Sequence, residues 1–155
     1  MKIRKATKED KEQFIILAKK ADQRPEYWSE HRFTKFIKGK GDIFLFAEEK
    51  GKLIGYVGIK QKEEENEFKK INFDKLACIA WIAVLPGFRE KRIGSKLLKE
   101  SEKYAKKWNK KGIWLDCRVK VLDFYIKNNY KVKGYITKEI NNKKFRKYFL
   151  EKKWQ

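Results

Sequence analysis

A cationic segment that follows a long apolar run is the part of the sequence best suited to chemistry. The run from Cys78 to Leu85 contains no charged residue, which is the pattern of a strand buried on both faces. After a Pro-Gly turn, Arg89, Lys91 and Arg92 lead directly into an amphipathic helix. A helix N-terminus presents backbone N–H groups without helical partners, together with the positive end of the helix dipole. The segment therefore predicts a site for an anion, and phosphate suits it best.

Metal and thiol chemistry are not indicated by the remaining reactive residue types. Cys78 and Cys117 both lie in predicted buried strands, which favours two reduced core residues over a disulfide or a reactive thiol. The single histidine, His31, has no cysteine at ligand spacing, so no metal site is expected.

The elements that must position the cationic segment follow the order strand, two helices, three strands, helix, strand, helix, two strands. The helices are predicted from apolar residues three or four positions apart, as in Phe14, Leu17 and Ala21. The strands are predicted from short apolar runs, such as 43–47 and 53–59. This order favours an α/β fold with helices packed on a central sheet. A chain of 155 residues is expected to form one domain, spanning 1–155.

Three local predictions concern the second half of the fold. The polar segment Gln61–Lys75 is expected to be a solvated loop or a strand extension. Asn128-Asn129 is expected to end a short helix, because asparagine accepts a left-handed cap. The last two strands are predicted at 131–136 and 145–152, separated by a polar loop.

The pattern Val84-x-Pro86-x-x-Arg89-x-x-Arg92-x-Gly94-Ser95-x-Leu97-Leu98 resembles the acetyl-CoA-binding motif of the GNAT N-acetyltransferases, usually written Arg/Gln-x-x-Gly-x-Gly/Ala. Arg92 occupies the position of the first glycine, and we expect it to adopt a negative φ. The segment Phe124–Tyr130 resembles the family's Phe-Tyr-Glu-Lys-x-Gly-Phe signature. The resemblance implies a GNAT-like mixed central sheet of six or seven strands, splayed between the fourth and fifth, with helices on both faces.

The same resemblance implies roles for individual residues. Tyr125 matches the tyrosine of the signature and would protonate the leaving thiolate, since a phenol with a pKa of about 10 stays protonated at neutral pH. Asp116 lies in a segment similar to the Leu-Glu-Val-Arg strand of some protein N-terminal acetyltransferases, whose acid is the general base. The alternative is a strand acid paired with Arg118 or a neighbouring lysine. Trp28 and His31 would line the acceptor wall, although a lone helical histidine is also typical of a plain surface residue. Contacts to acetyl-CoA are expected from Ile82, Val84, Arg89, Glu90, Lys91, Arg92, Ile93, Gly94 and Ser95.

These resemblances imply an acetyl-CoA-dependent N-acetyltransferase that uses no metal and in which a primary amine attacks the thioester directly in a ternary complex. The acceptor could be a protein N-terminus or a small-molecule amine. Deprotonating a lysine with a pKa of about 10.4 at pH 7 costs about 4.6 kcal/mol, whereas an α-amine with a pKa near 8 is already about one-tenth neutral. The easier acceptor is therefore an α-amine or a small amine of low pKa. The alternative function is a non-catalytic CoA-binding or nucleic-acid-associated basic module. Two departures from the family pattern favour it: Arg92 at the position of a glycine, and Arg118 at a position where the family usually has asparagine.

The formal net charge of +20 bears on the partners of the protein. Lysines are spread along the whole chain, which favours solvated faces with weak, nonspecific polyanion binding over a dedicated nucleic-acid surface. No apolar run approaches the roughly 20 residues that span a bilayer, and the N-terminus has no signal-peptide core. We therefore expect a cytoplasmic protein without membrane association, either a monomer or a homodimer.

Overall fold

A computed structural model describes residues 1–39, 42–63, 67–68 and 70–154, and only the backbone of Glu90. Within these residues none of the helices is long and apolar enough to cross a lipid bilayer. The strands are β1 (Lys2–Lys5), β2 (Ile43–Glu49), β3 (Lys52–Lys60), β4 (Leu76–Val84), β5 (Gly112–Arg118), β6 (Lys131–Ile140) and β7 (Lys143–Lys153). The helices are α1 (Lys11–Asp22), α2 (Glu26–Lys38), α3 (Ile93–Lys107) and α4 (Val119–Lys127).

The strands form a seven-stranded mixed sheet with the hydrogen-bonded order β1-β2-β3-β4-β5-β7-β6. The fourth and fifth strands pair in parallel. Their pairing runs from Leu76↔Gly112 to Cys78↔Trp114 and extends no further among the described residues, although both strands continue. Pairing that stops while both strands continue is the pattern expected of the splayed fourth and fifth strands that the family resemblance implies.

The chain divides into two compact units, and the first comprises Met1–Lys60 and Ile79–Lys103. Its core is an aromatic cluster in which α1 and α2 pack on β2 and β3. The Phe14 ring centroid lies 5.0 Å from that of Phe44 and 5.2 Å from that of Tyr56. On the alternate face of β3, a Cβ added at Gly55 would lie 3.3 Å from the Cδ1 atom of Leu97 in α3. Helices therefore cover both faces of this part of the sheet, as expected.

An ion pair joins β1 to the start of α1 in the same unit. The Arg4 guanidinium donates two hydrogen bonds of 2.8 Å to the carboxylate of Asp10, which is buried. The backbone N–H of Thr7 donates to the same carboxylate at 2.7 Å. Arg4 holds the pKa of Asp10 below its usual range, although burial opposes that shift. The Asp10 carboxylate therefore joins the first strand to the start of α1.

The second unit comprises Gln61–Cys78 and Tyr104–Gln155, and its core overturns one prediction. The segment Gln61–Lys75 is not simply a solvated loop, because Phe68 and Ile71 are buried. The Phe68 ring stacks on that of Phe149 at 4.7 Å. A Cβ at Gly134 would lie 2.7 Å from the Cζ atom of Phe68, so the absence of a side chain there makes room for the ring. Residues 64–66 and 69 lie outside the described part of this segment.

The last two strands are longer than predicted. β6 continues to Ile140 and β7 starts at Lys143, which leaves Asn141 and Asn142 as a two-residue turn. Their φ angles of 51° and 62° are those of a type I′ hairpin turn, whose twist matches the flanking strands. The predicted polar loop was wrong because its lysines are strand residues with exposed side chains.

Candidate active site

The segment that links β4 to α3 presents backbone donors in the first unit. A short 3-10 helix at Arg89–Lys91 precedes α3. The hydrogen bond from the Lys96 N–H to the Arg92 carbonyl, at 3.1 Å, is the one that closes the first turn. The N–H groups of residues 93–95 therefore belong to the turn for which a helix supplies no acceptor. Among the described residues, this first turn contains no acidic residue. The local structure is therefore suited to an anion.

The backbone of Arg92 contradicts the expected negative φ. Arg92 has φ 59° and ψ 24°, in the left-handed region, and its side chain is exposed. The prediction was wrong because Arg92 caps the C-terminal end of the 3-10 helix, and a residue that ends a helix commonly adopts the left-handed conformation. Arg92 therefore has a backbone conformation that glycine adopts without steric cost, at the position where the family pattern has glycine.

Arg89 uses its side chain to brace the loop. Its Nε donates to the Val84 carbonyl and its Nη2 donates to the Ala21 carbonyl, each at 2.9 Å. These bonds tie the segment to the end of β4 and to the last turn of α1. Sequence reasoning assigned this side chain to a phosphate and missed the brace, because both acceptors are backbone atoms.

The other residues predicted to contact acetyl-CoA lie in β4 and in the segment 89–95, all within the first unit. Ile82 and Val84 are half-buried in β4, and Lys91 lies with its Nζ 5.1 Å from the centroid of the Phe88 ring. The segment 93–95 begins α3, as predicted. The side chain of Glu90 is outside the described part of the chain.

An aromatic and cationic stack surrounds the predicted acceptor residues of α2. Trp28 is half-buried and packs edge-to-face against Trp81 at 5.5 Å. The guanidinium of Arg24 lies 4.5 Å from the centroid of the Trp28 ring. His31 lies one turn further along the helix and is exposed. Trp81 was missed because a tryptophan within an apolar run is typical of a core residue.

Tyr125 lies on α4 in the second unit, and its side chain is buried. Its ring packs edge-to-face against that of Tyr130, with the centroids 6.1 Å apart. The carbonyl of Tyr125 accepts hydrogen bonds of 3.0 Å from the N–H groups of Asn128 and Tyr130. The predicted left-handed cap is confirmed at Asn129, whose φ is 70°. These contacts fix the C-terminal end of the helix that carries the phenol.

Asp116 lies on β5 in a charged cluster of the second unit. Its Oδ2 lies 3.7 Å from the Nζ of Lys147, and its side chain remains 37% exposed. Lys147 in turn lies 3.1 Å from a carboxylate oxygen of Glu67, which also pairs with Lys138. Burial raises the pKa of Asp116, and the charge of Lys147 opposes that rise. A carboxylate with a raised pKa is a stronger base than an ordinary one, while the pairing is the alternative that the sequence left open.

A buried phenol in the first unit has a structural role. The Tyr56 hydroxyl donates to Asp22 at 3.4 Å, and burial followed by the charge of Asp22 raises the pKa of Tyr56 far above its ordinary value. Tyr56 is therefore a hydrogen-bond donor at all physiological pH values. Among the described residues, no group of three or more His, Cys, Asp or Glu side chains is arranged to hold a metal ion.

Comparison with known proteins shows which family this chain belongs to. The family model described as "Acetyltransferase (GNAT) family" matches residues 6–130. The chain belongs to the GNAT acetyltransferase family. The matched region contains the segment 89–95, Asp116 and Tyr125. This GNAT protein is an N-acetyltransferase.

Relatives of this GNAT chain agree with that assignment. It is 31% identical to an N-alpha-acetyltransferase of Sulfolobus acidocaldarius over 134 residues, which cover 83% of this chain and 79% of the relative. It is 28% identical to an uncharacterised N-acetyltransferase of Methanocaldococcus jannaschii, over 86% of this chain and 64% of that protein. Its fold is similar to that of an aminoglycoside 6'-N-acetyltransferase complexed with coenzyme A, with a TM-score of 0.79, 16% identity and coverage of 99% and 97% of the two chains.

Proposed function

We propose that this GNAT protein transfers the acetyl group of acetyl-CoA to an α-amino group, with residues 1–155 acting as one catalytic domain. The observation that carries the proposal is the left-handed turn at Arg92, followed by the first-turn N–H groups of α3 at the motif position of the family. The Sulfolobus acidocaldarius relative is named an N-alpha-acetyltransferase, which supports an α-amine as the acceptor. A cytoplasmic location belongs to the same proposal and is supported by Cys78 and Cys117, which are buried and form no disulfide among the described residues.

The backbone of the segment 93–95 would hold the pyrophosphate of acetyl-CoA. Main-chain N–H groups and the helix dipole favour two adjacent negative groups at this position. Arg92 and Lys91 would add charge from exposed side chains, and Arg89 would hold the loop in shape. The backbone groups of Ile82 and Val84 would pair with the pantetheine arm, as the family resemblance implies.

The chemical step requires one bond to form and one to break. The neutral amine attacks the thioester carbonyl carbon in a ternary complex, a C–N bond forms, and the C–S bond breaks. Tyr125 would give its phenolic proton to the leaving thiolate, and Asp116 would accept the proton that the amine loses. Trp28 and His31 would contact the acceptor. Because the Asp116 carboxyl has a raised pKa, it would take up this proton more readily than an ordinary carboxylate.

The test is acetylation of a peptide α-amine by the wild-type protein and by Tyr125→Phe. If the phenol is the acid, kcat falls by about 10²- to 10⁴-fold while the KM for acetyl-CoA changes little. Tyr135→Phe is the matched control, because Tyr135 is an exposed phenol on β6. Wild-type turnover by Tyr125→Phe would remove Tyr125 from the mechanism. Failure of the wild-type protein to acetylate any peptide α-amine would refute the acceptor class.

A further inference from the structure

A cationic cavity opens at the turn between β6 and β7, within the second unit. Its volume is about 410 Å³, within the range of roughly 300–1,000 Å³ that is typical of small-ligand sites. Three of its lining residues carry a positive charge and none carries a negative charge. The lining residues are Arg118, Ile140, Asn141, Lys143, Lys144 and Phe145.

The cavity is held in shape by its surroundings. The guanidinium of Arg118 lies 3.8 Å from the centroid of the Phe145 ring, which orients its planar donors. The type I′ turn fixes the backbone that carries Lys143 and Lys144. A site with fixed donors loses little conformational entropy when a ligand binds.

The residues that line the cavity carry three positive charges and no negative charge. Among the described residues, no carboxylate lies within ion-pair distance of Arg118, Lys143 or Lys144. By contrast, Lys138 and Lys147 of the same hairpin both pair with Glu67. Three cations around one concave surface favour an anionic ligand, and the arginine suits a carboxylate or a phosphate by bidentate hydrogen bonding.

We propose that this cavity binds an acidic group of the acceptor, so that the preferred substrate is an amine that carries a carboxylate or a phosphate. The inference rests on the proposed acetyl transfer and names the substrate class for it. The apolar contacts that Ile140 and Phe145 offer suit the carbon chain between the two groups. A cavity of this size takes one residue-sized group rather than a length of polymer.

The spacing along β5 connects the cavity to the proposed base. Arg118 and Asp116 are two residues apart on one strand and therefore lie on the same face, with their Cα atoms about 7 Å apart. An acceptor whose acidic group contacts Arg118 and whose chain runs along β5 would place its other end next to Asp116, about one residue's length away. An amine at that end is positioned to lose its proton to the carboxylate.

The test compares matched acceptors that differ by one charge. Peptides with a single Glu or Gln at position 1, 2 or 3 form one arm, and phosphoethanolamine against ethanolamine forms the other. The wild-type protein is expected to show a KM about tenfold lower for the charged member of at least one pair, as a charge-assisted contact gives. A preference confined to peptides identifies an acidic side chain as the ligand, and one confined to phosphoethanolamine identifies a small phosphorylated amine.

Two variants address the cavity, and a third controls for net charge. Arg118→Gln and the double variant Lys143→Gln/Lys144→Gln are expected to bring the charged-to-neutral KM ratio close to one. The double variant keeps the test valid if Arg118→Gln folds poorly. Lys50→Gln/Lys52→Gln removes the same charge at another hairpin with a two-residue turn and is expected to keep the preference. If both double variants lose the preference for the charged acceptor equally, the preference arises from the net charge of the protein rather than from the cavity, and the proposal is overturned.

Binding without turnover separates this proposal from the proposed function. Calorimetry in the absence of acetyl-CoA measures the affinity for each Glu and Gln peptide directly. If no amine is acetylated but the Glu peptide still binds more tightly and loses that advantage in Lys143→Gln/Lys144→Gln, the site stands and the acetyl transfer fails. Equal KM values and equal affinities within every pair overturn the site. An effect of the double variant that is confined to binding of single-stranded RNA also overturns it, in favour of a polyanion surface.

Discussion

Arg92 adopts a left-handed backbone conformation at the position where the family pattern has glycine. A Cβ in the left-handed region costs about 1–2 kcal/mol, and glycine avoids that cost. The side chain of Arg92 is exposed, so the strain is local to the backbone. In return the loop gains a cation beside the first-turn N–H groups of α3. The arginine thus exchanges backbone stability for charge at the proposed pyrophosphate site.

Substitutions at Arg92 separate these two effects. Arg92→Gly is expected to have a free energy of unfolding about 0.5–1 kcal/mol greater than that of Arg92→Ala, because relief of the left-handed strain exceeds the extra entropy that glycine loses on folding. Both variants lack the charge, so their difference isolates the backbone. Urea denaturation at pH 7 measures it. An alanine variant as stable as the glycine variant would show that the position is unstrained.

Parts of the site whose contacting residues are close in sequence could be predicted, whereas parts whose contacting residues come from distant segments could not. The segment 89–95 was located from sequence because an apolar run, a turn and an amphipathic helix are contiguous. The φ of Arg92 was not predicted, because the end of the 3-10 helix overrides the preference of a non-glycine residue for a negative φ, which is about 1–2 kcal/mol. The surroundings of Asp116 were also hidden, since Lys147 and Glu67 come from other segments.

At the scale of elements, the entry into α1 depends on an interaction that titrates. Asp10 is buried against Arg4, and its folded-state pKa lies below the ordinary value, which is near 4. A depressed acid contributes stability above its unfolded-state pKa, and this contribution is lost as the pH falls through the folded-state pKa. The link between β1 and the first helix therefore weakens in acid.

Asp10→Asn tests this linkage. The variant is expected to lower the free energy of unfolding by about 2 kcal/mol at pH 7, because an uncharged amide replaces a partner of a charge-assisted pair. The difference from wild type should shrink as the pH falls below about 4, because protonation of Asp10 in the wild type removes the charge that the variant lacks at every pH. Glu12→Gln, an exposed first-turn substitution with the same charge change, should cost less than about 0.5 kcal/mol. Denaturant titrations from pH 7 to pH 2.5 measure both, and a pH-independent cost at Asp10 would contradict the linkage.

Element boundaries were predicted well where one face is buried and poorly where neither is. β2 and β3 have mostly buried residues, and their positions agree with the sequence prediction to within two residues. β6 is exposed or half-buried throughout, so its last residues, which end at Ile140, show no alternation of apolar and polar residues from which the end could be predicted. The burial of Phe68 was missed because its partners Phe149 and Gly134 follow more than 60 residues later.

At the scale of the whole molecule, the chain has too few acids to neutralise its bases. With 41 Lys and Arg against 21 Asp and Glu, at least 20 cations have no acid of their own. Several lysines also lie against aromatic rings, including Lys60 on Trp81 and Lys152 on Tyr130. Such contacts hold the side chain but leave its field in solution.

This excess charge predicts a particular form of polyanion binding. The protein is expected to bind single-stranded RNA at low salt without sequence preference. The affinity should fall by about 300-fold or more between 50 and 200 mM salt if six or more phosphates of the single strand are contacted. Fluorescence anisotropy with two unrelated oligonucleotides of equal length measures both properties. Salt-resistant binding to one sequence alone would contradict a nonspecific surface.

The junction between β5 and α4 constrains how this chain can change in length. Arg118 ends the strand and Val119 starts the helix, with no residue between them. Each residue inserted there would rotate the helix by about 100° about its own axis. A single insertion would therefore turn Tyr125 away from its present direction even if every side chain were conserved. The end of β5 therefore sets the direction in which the side chain of Tyr125, the proposed acid, extends from α4. Deletions or insertions at this junction should be far less tolerated than substitutions.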